Sequence, residues 1–146
     1  MTKVFTIGFT KWDAADFFGT LSQSVVRRVI DVRLNNSSQL AGFSKKRDLE
    51  FFLKTICGID YVHVPELAPT KKMLDEYKKN RCSWAAYEAR FNDLLESRNI
   101  AQQVPKELFL AGCLLCSERA PHHCHRRLVA EYLSAKWDQR FEIVHL

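Results

Sequence analysis

Runs of β-forming residues alternate with segments of helical periodicity, and this alternation constrains the fold more than any other feature of the chain. The five strand-like runs are "KVFTIGF", "VVRRVIDVR" (Val25–Arg33), "DYVHV", "ELFLAGCLLC" (Glu107–Cys116) and "FEIVHL". The predicted order is βαβαβααβαβ. Strands that alternate with helices pair in parallel through right-handed crossovers. The sequence therefore predicts an α/β fold with a single open, mostly parallel five-stranded sheet and helices on both faces.

The run Glu107–Cys116 indicates which strand is most deeply buried in this sheet. It is almost continuously apolar, as a central parallel strand covered on both faces requires. A helix is predicted from Cys124 to Trp137, shortly after the carboxyl end of that strand. The connection, "SERAPHH", brings charged and imidazole side chains to the entry of the helix.

Composition is consistent with one globular domain spanning residues 1–146, with 47% hydrophobic and 27% charged residues. The net charge of +5 favours anionic partners, either a small anionic ligand or nucleic acid. No apolar run reaches the length of a signal peptide or a membrane span, which predicts a cytoplasmic protein with no membrane contact. The five cysteines should be reduced there, and their odd number also argues against a disulfide framework.

Unusual polar residues follow the predicted strands at their carboxyl ends. In an open α/β sheet these ends meet at one edge, where ligands bind. We therefore expect a polar pocket at this edge. The candidate residues are Gly8 and Thr10 after the first strand, Asp31 and Arg33 after the second, His63 after the third, and Cys116, Glu118, Cys124, His125 and Arg126 around the fourth.

The start of the last helix concentrates positive charge. A helix N-terminus already carries about half a positive charge, and His125, Arg126 and Arg127 add to it. An anion would compensate: a bound phosphate or carboxylate, or a thiolate of the protein itself. The pKa of Cys124 would be lowered in this field. The structural alternative is that the two arginines form ion pairs with Glu118 and Glu131.

The motifs "TIGFT", "DVR", "YVHVPEL" and "LLCSERAPHHCHR" together resemble the domain-of-unknown-function family 488. The resemblance implies a flavodoxin-like or Rossmann-like three-layer fold and directs attention to the same candidate residues except Thr10, without a settled reaction. The chain departs from the family pattern in three loops. Phe9-Thr10 stands where His-Ser is frequent, Asn36 and Gln39 replace a proline and an arginine, and Ala68-Pro69 follows "PEL" in place of a glycine.

The leading functional hypothesis is an enzyme acting on a phosphate-bearing, nucleotide or nucleic-acid-related substrate. Cys116 or Cys124 would be the nucleophile and His125 or His63 the base, with Glu118 beside them. Arg33 and Arg126 would clamp the anion, and Asp31 could orient either arginine through a bidentate pair. No arginine follows Cys116 at the fifth or sixth position, which disfavours a cysteine-phosphatase loop.

Three alternatives stay open at this stage. Zinc binding by Cys116, Cys124 and one histidine is a minority hypothesis, because Cys113 should point to the opposite face of its strand. A redox sensor would use Cys116 and Cys124 as a disulfide-forming pair. A nucleic-acid-binding module would use basic clusters and aromatic stacking partners. These are Lys45, Lys46, Arg47, Lys71, Lys72, Lys78, Lys79 and Arg81, with Trp12, Phe43 and Trp84.

Overall fold

The five predicted strands form one parallel sheet in a computed structural model that describes residues 2–35, 43, 45–118, 123–138 and 140–146. The strands lie in the order β3-β2-β4-β1-β5, and every pairing is parallel. The predicted open α/β sheet is therefore confirmed. The strands are β1 (Thr2–Gly8), β2 (Arg28–Asp31), β3 (Asp60–His63), β4 (Gly112–Cys116) and β5 (Phe141–His145).

Helices connect the strands, and polar caps mark several of their starts. Asp13, Thr70 and Ser83 each accept a hydrogen bond from a backbone N–H in the first turn that follows. Gly58 ends the second helical segment in the left-handed conformation, at a φ of 65°. The helices are α1 (Ala14–Gln23), α2 (Lys46–Phe52, continued by a π-helical turn, Leu53–Cys57), α3 (Lys71–Lys78), α4 (Trp84–Ser97), α5 (Ile100–Gln103) and α6 (His125–Lys136).

The sheet separates two apolar cores, which gives a three-layer architecture. One core contains buried residues of α1 and α2, such as Phe17 and Leu49. The other contains buried residues of α4 and α6, such as Phe91 and Leu133. Because side chains alternate along a strand, Cys113 packs in the first core and Cys116 in the second. The expected separation of these two cysteines is confirmed.

The predicted limits of two strands and of the last helix are wrong. β2 is confined to Arg28–Asp31, so the strand predicted over Val25–Arg33 is too long. The first half of Glu107–Cys116 forms a 3₁₀ turn that starts after Pro105, and Ala111 has a φ of 54°. A positive φ interrupts a strand, so β4 begins only at Gly112.

Cys124 is the N-cap of α6 rather than its first residue. Asn36 and Gln39 lie outside the described residues, and so does His122 in the connection before α6. Within the part of the chain that the structure describes, no helix combines the length and apolarity needed to span a membrane.

Candidate functional site

The carboxyl ends of four strands lie side by side and place the candidate residues at one edge of the sheet. Gly8 at the end of β1 is in register with Cys116 at the end of β4. Asp31 at the end of β2 is in register with His63 at the end of β3 and with Leu115 of β4. This alignment follows from parallel pairing, because each strand enters the edge in the same direction.

Asp31 and Arg33 form a buried ion pair at this edge. Nε and one terminal nitrogen of Arg33 donate to the two carboxylate oxygens of Asp31, each over 2.9 Å. The backbone N–H of Arg33 donates to the same carboxylate over 3.1 Å. Of the two arginines that Asp31 could orient, the structure selects Arg33, and the fork geometry holds its guanidinium in one position.

Two aromatic residues that the sequence analysis missed complete this pair. The hydroxyl of Tyr61 donates to Asp31 over 2.6 Å, and the guanidinium of Arg33 lies 5.2 Å from the centre of the Phe9 ring. His63 donates from Nε2 to the backbone carbonyl of Arg33 over 2.8 Å, because a carbonyl oxygen can only accept. Tyr61 precedes His63 by two residues, and this strand alternation is the signal that could have identified it.

The side chain of Arg126 is completely buried, which is rare for an arginine. Nε donates to the hydroxyl of Thr6 over 3.1 Å. One terminal nitrogen donates to the sulfur of Cys116 over 3.2 Å and also to the backbone carbonyl of Glu118. Burial lowers the pKa of Arg126 to about 10, so the guanidinium is still protonated at neutral pH.

The sulfur atoms of Cys116 and Cys124 are in direct contact in this structure, with their Cα atoms 7.6 Å apart, which is wider than in a relaxed disulfide. Cys116 ends β4 and Cys124 caps α6, so two separate elements bring them together. This is the pair that the redox hypothesis requires. Cys57, Cys82 and Cys113 are free, and burial raises the pKa of the Cys113 thiol, which leaves it protonated and unreactive.

His125 directly follows this pair and is held by the neighbouring strand. Its Nε2 lies 2.7 Å from the backbone carbonyl of Val32. Burial, together with the charge of Arg126, lowers the pKa of His125 to about 4. The ring is therefore neutral at pH 7, and Nε2 must carry the proton because the carbonyl can only accept. The other ring nitrogen, Nδ1, then has a lone pair.

A ring nitrogen of His125 and the two sulfurs lie within 4.8 Å of one another. Zinc could use such a set of three donors only after the disulfide is reduced. The buried guanidinium of Arg126 beside Cys116 opposes a second cation at the same place. The donor set is therefore compatible with zinc in ligand type but unfavourable in charge. Hereafter Thr6, Cys116, Cys124, His125 and Arg126 are called the cysteine–arginine cluster.

The other predicted site residues have structural contacts at the same edge. Thr10 is exposed and donates from its hydroxyl to the carbonyl of Ser117. Glu118 supplies its backbone carbonyl to Arg126, and its charge favours the protonated guanidinium. Arg127 pairs with Glu131 and Glu88 over 4.0 and 3.8 Å. The structural alternative of ion pairs thus applies to Arg127.

Thr6 and His145 were not recognised as parts of the site. Thr6 is fully buried in β1, and its hydroxyl contacts Nδ1 of His145 as well as Arg126. A buried threonine within an apolar strand is a weak signal by itself. The role of Thr6 is apparent only from the structure, in which α6 places the guanidinium of Arg126 beside its hydroxyl.

An apolar cavity lies elsewhere in the molecule. It is a groove of about 600 Å³ between α1 and α2, lined mainly by apolar residues such as Phe18, Phe43 and Phe52. It shares no residue with the cysteine–arginine cluster or with the Asp31–Arg33 pair. The groove therefore does not contribute to the chemistry of this edge.

The neutral state of His125 predicts a loss of stability in acid. In the unfolded chain its pKa returns to about 6.5, whereas in the folded protein it is about 4. The unfolded state therefore binds more protons between these values, and stability falls as the pH drops from about 6.5 to about 4. The side chain is not completely covered, so we expect an effect of about 1–2 kcal/mol.

Urea unfolding at pH 7 and pH 4.5 checks this expectation. The variant His125→Gln keeps a donor for the carbonyl of Val32 and should lose less stability over this interval than the wild-type protein. His123→Gln, at an exposed histidine, is the matched control and should behave like the wild type. Equal losses for all three proteins would contradict the assignment.

Comparison with known proteins places the chain in a family. Compared with curated proteins and with solved structures, the chain has no match. Residues 13–133 match the family model described as a domain of unknown function, DUF488. The matched span includes Asp31, Arg33 and His63 and the segment from Cys116 to Arg126, whereas Gly8 and Thr10 precede it. Because the match covers most of the 146 residues, this chain belongs to the DUF488 family.

Proposed function

We propose that the protein is a thiol–disulfide redox module whose working centre is the pair Cys116 and Cys124. One observation carries this proposal: the sulfurs of two cysteines from separate elements are in contact, and the buried guanidinium of Arg126 donates to one of them. A structural disulfide needs no cation beside its sulfur. A thiolate does, because the charged form must be stabilised away from water.

The cluster supports both redox states of this pair. In the reduced state Arg126, with a pKa of about 10, retains its charge and stabilises a thiolate at Cys116. In the oxidised state the two sulfurs bond, and the dithiol has given up two electrons and its protons. A lowered thiol pKa raises the fraction of thiolate at neutral pH, and this fraction controls the rate of exchange and oxidation.

The predicted cytoplasmic location gives the pair a specific meaning. Cytoplasmic thiols are kept reduced, and disulfides that form there are usually transient, catalytic or redox-sensing. A Cys116–Cys124 bridge in that compartment would be a regulated state rather than a permanent crosslink.

The hypothesis of an enzyme that acts on phosphate-bearing substrates stays a prediction. The geometry supports it less than it supports the redox proposal. Arg33 donates to Asp31 and Arg126 donates within the cysteine–arginine cluster. Both arginines are buried, so an incoming phosphate would have to displace these contacts. Calorimetric titration with inorganic phosphate tests this candidate, and a Kd below about 1 mM would favour it.

Nucleic-acid binding is likewise a prediction. Its test is whether the affinity for a nucleic acid falls steeply as the salt concentration rises.

Peptide mapping without reduction tests the redox proposal. The protein is reduced, oxidised with either diamide or hydrogen peroxide, blocked with N-ethylmaleimide and digested with trypsin. We expect both oxidants to link the peptide containing Cys116 to the peptide containing Cys124, and dithiothreitol to reverse the bridge. Fragmentation must separate Cys116 from Cys113, because both occur in the peptide Glu107–Arg119.

Matched variants make this mapping decisive. Cys124→Ser should abolish the bridge, whereas Cys82→Ser, at a partly buried free cysteine, should leave it unchanged. No Cys116–Cys124 bridge with either oxidant, or a mixture of bridges that includes the free cysteines at similar yield, would overturn the proposal.

A further inference from the structure

We propose that the oxidant of this centre is a small hydroperoxide, that Cys116 is the sulfur that attacks it, and that Cys124 then closes the disulfide. This inference rests on the proposed function and names its co-substrate. Two observations carry it: the accessibility of the two sulfurs and the unequal charges beside them.

The two cysteines are almost inaccessible from solvent. Cys116 is 1% and Cys124 is 3% exposed. Exchange with a protein disulfide requires the thiolate to approach one sulfur of the partner along its S–S bond, within a mixed-disulfide intermediate. A sulfur this deeply covered cannot make that approach without opening of the structure. A hydroperoxide with a small substituent brings few atoms besides its O–O group to the sulfur, so small size is the property that the site selects.

The positive charges beside the two sulfurs are unequal. Cys116 accepts a hydrogen bond over 3.2 Å from the fully buried guanidinium of Arg126, which carries a whole charge. Cys124 caps α6, and its side chain makes no capping hydrogen bond. A helix N-terminus supplies only about half a charge, spread over several N–H groups. The thiolate is therefore more stable at Cys116, which makes Cys116 the attacking sulfur.

The first step breaks the O–O bond of the hydroperoxide. The thiolate of Cys116 attacks the terminal oxygen, a sulfenic acid forms on Cys116, and the alkoxide leaves and takes up a proton from solvent. In this step sulfur is oxidised by two electrons and the peroxide is reduced to an alcohol, or to water when the oxidant is hydrogen peroxide.

The second step closes the disulfide and releases water. The sulfur of Cys124 attacks the sulfenic sulfur of Cys116, the S–O bond breaks, and hydroxide leaves as water with the thiol proton of Cys124. In sum, one thiolate, one thiol, one hydroperoxide and one proton give a disulfide, an alcohol and water.

Oxidant size tests the accessibility argument. The full-length protein is reduced, and the rate of Cys116–Cys124 bridge formation is measured with hydrogen peroxide, cumene hydroperoxide and oxidised glutathione. We expect hydrogen peroxide to react at least about tenfold faster than cumene hydroperoxide, and oxidised glutathione to react slowest. Equal rates would overturn this inference but leave the redox proposal intact. A bridge that forms with diamide but not with hydrogen peroxide would also overturn this inference and leave the redox proposal intact.

Trapping the sulfenic acid tests which sulfur attacks. Cys124→Ser and Cys116→Ser are treated with hydrogen peroxide and then unfolded in urea that contains dimedone, so that the reagent reaches both sulfurs equally. We expect an adduct on Cys116 in the first variant and a rate at least about tenfold lower on Cys124 in the second. Equal or reversed labelling would overturn the assignment.

Arg126 is a positioning residue in this scheme, and its test is a pH profile. Arg126→Gln should move the midpoint of peroxide reactivity to higher pH, whereas Arg126→Lys, which keeps the charge, should restore most of the shift. An unchanged midpoint in a folded Arg126→Gln variant would contradict the role of the guanidinium. If Arg126→Gln does not fold, the dimedone comparison decides the order of the two cysteines.

Discussion

Alanine at position 8 should destabilise the protein by at least about 3 kcal/mol or prevent folding, because no space exists for a side chain there. A Cβ on Gly8 would lie 1.6 Å from the carbonyl oxygen of Glu118 and 2.7 Å from a terminal nitrogen of Arg126. The first contact is with backbone, which cannot rotate away. The segment after β4 would have to move, and Arg126 would lose its carbonyl acceptor.

Gly19→Ala is the matched control for this substitution. Gly19 lies within α1, and nothing is found within 4 Å of the Cβ that alanine would add. We expect this variant to be about 0.5–1 kcal/mol more stable than the wild type, because alanine favours a helix over glycine. Urea unfolding under reducing conditions measures both changes. A loss below about 1 kcal/mol for Gly8→Ala would show that the close approach of Glu118 is not tight.

The second large effect is expected for Arg33→Met, which should cost about 3–5 kcal/mol. Asp31 is completely buried. Without Arg33, its charge would keep, among the described residues, the hydroxyl of Tyr61 and the backbone N–H of residue 33 as donors. Removing one partner of a buried pair leaves an uncompensated charge, and this penalty exceeds the net value of the pair itself.

A double variant separates the penalty of the uncompensated charge from the net value of the ion pair. Asp31→Asn combined with Arg33→Met removes both charges, keeps an acceptor for Tyr61 and should recover most of the lost stability. The control is Lys54→Met at the exposed pair Lys54–Asp60, which should change stability by less than about 0.5 kcal/mol. Urea unfolding at pH 7 gives the free energy of unfolding of the wild type and of the three variants. A double variant as unstable as Arg33→Met alone would show that packing around Phe9, rather than charge, dominates.

The architecture followed from the sequence because each element carries its own local signal. The apolar β-rich runs and the helical spacing of residues such as Phe17 and Leu21 specify strand or helix from neighbouring residues alone. Cys113 and Cys116 were assigned to opposite faces by strand alternation, and the two cores confirm it. Strand limits were less accurate, because the conformation of Ala111 and the 3₁₀ turn before it depend on tertiary packing.

The sequence by itself determined that the chain forms an α/β sheet and that its polar residues follow the strands at one edge, since both properties arise from local periodicity and parallel direction. Only the tertiary structure decided which groups meet: Arg33 with Asp31, Arg126 with Cys116 and Thr6, and Cys124 with Cys116. The strand order and the position of α6 set these pairings over separations of up to 120 residues. Such distances are fixed by packing of the whole chain, and no local pattern encodes them.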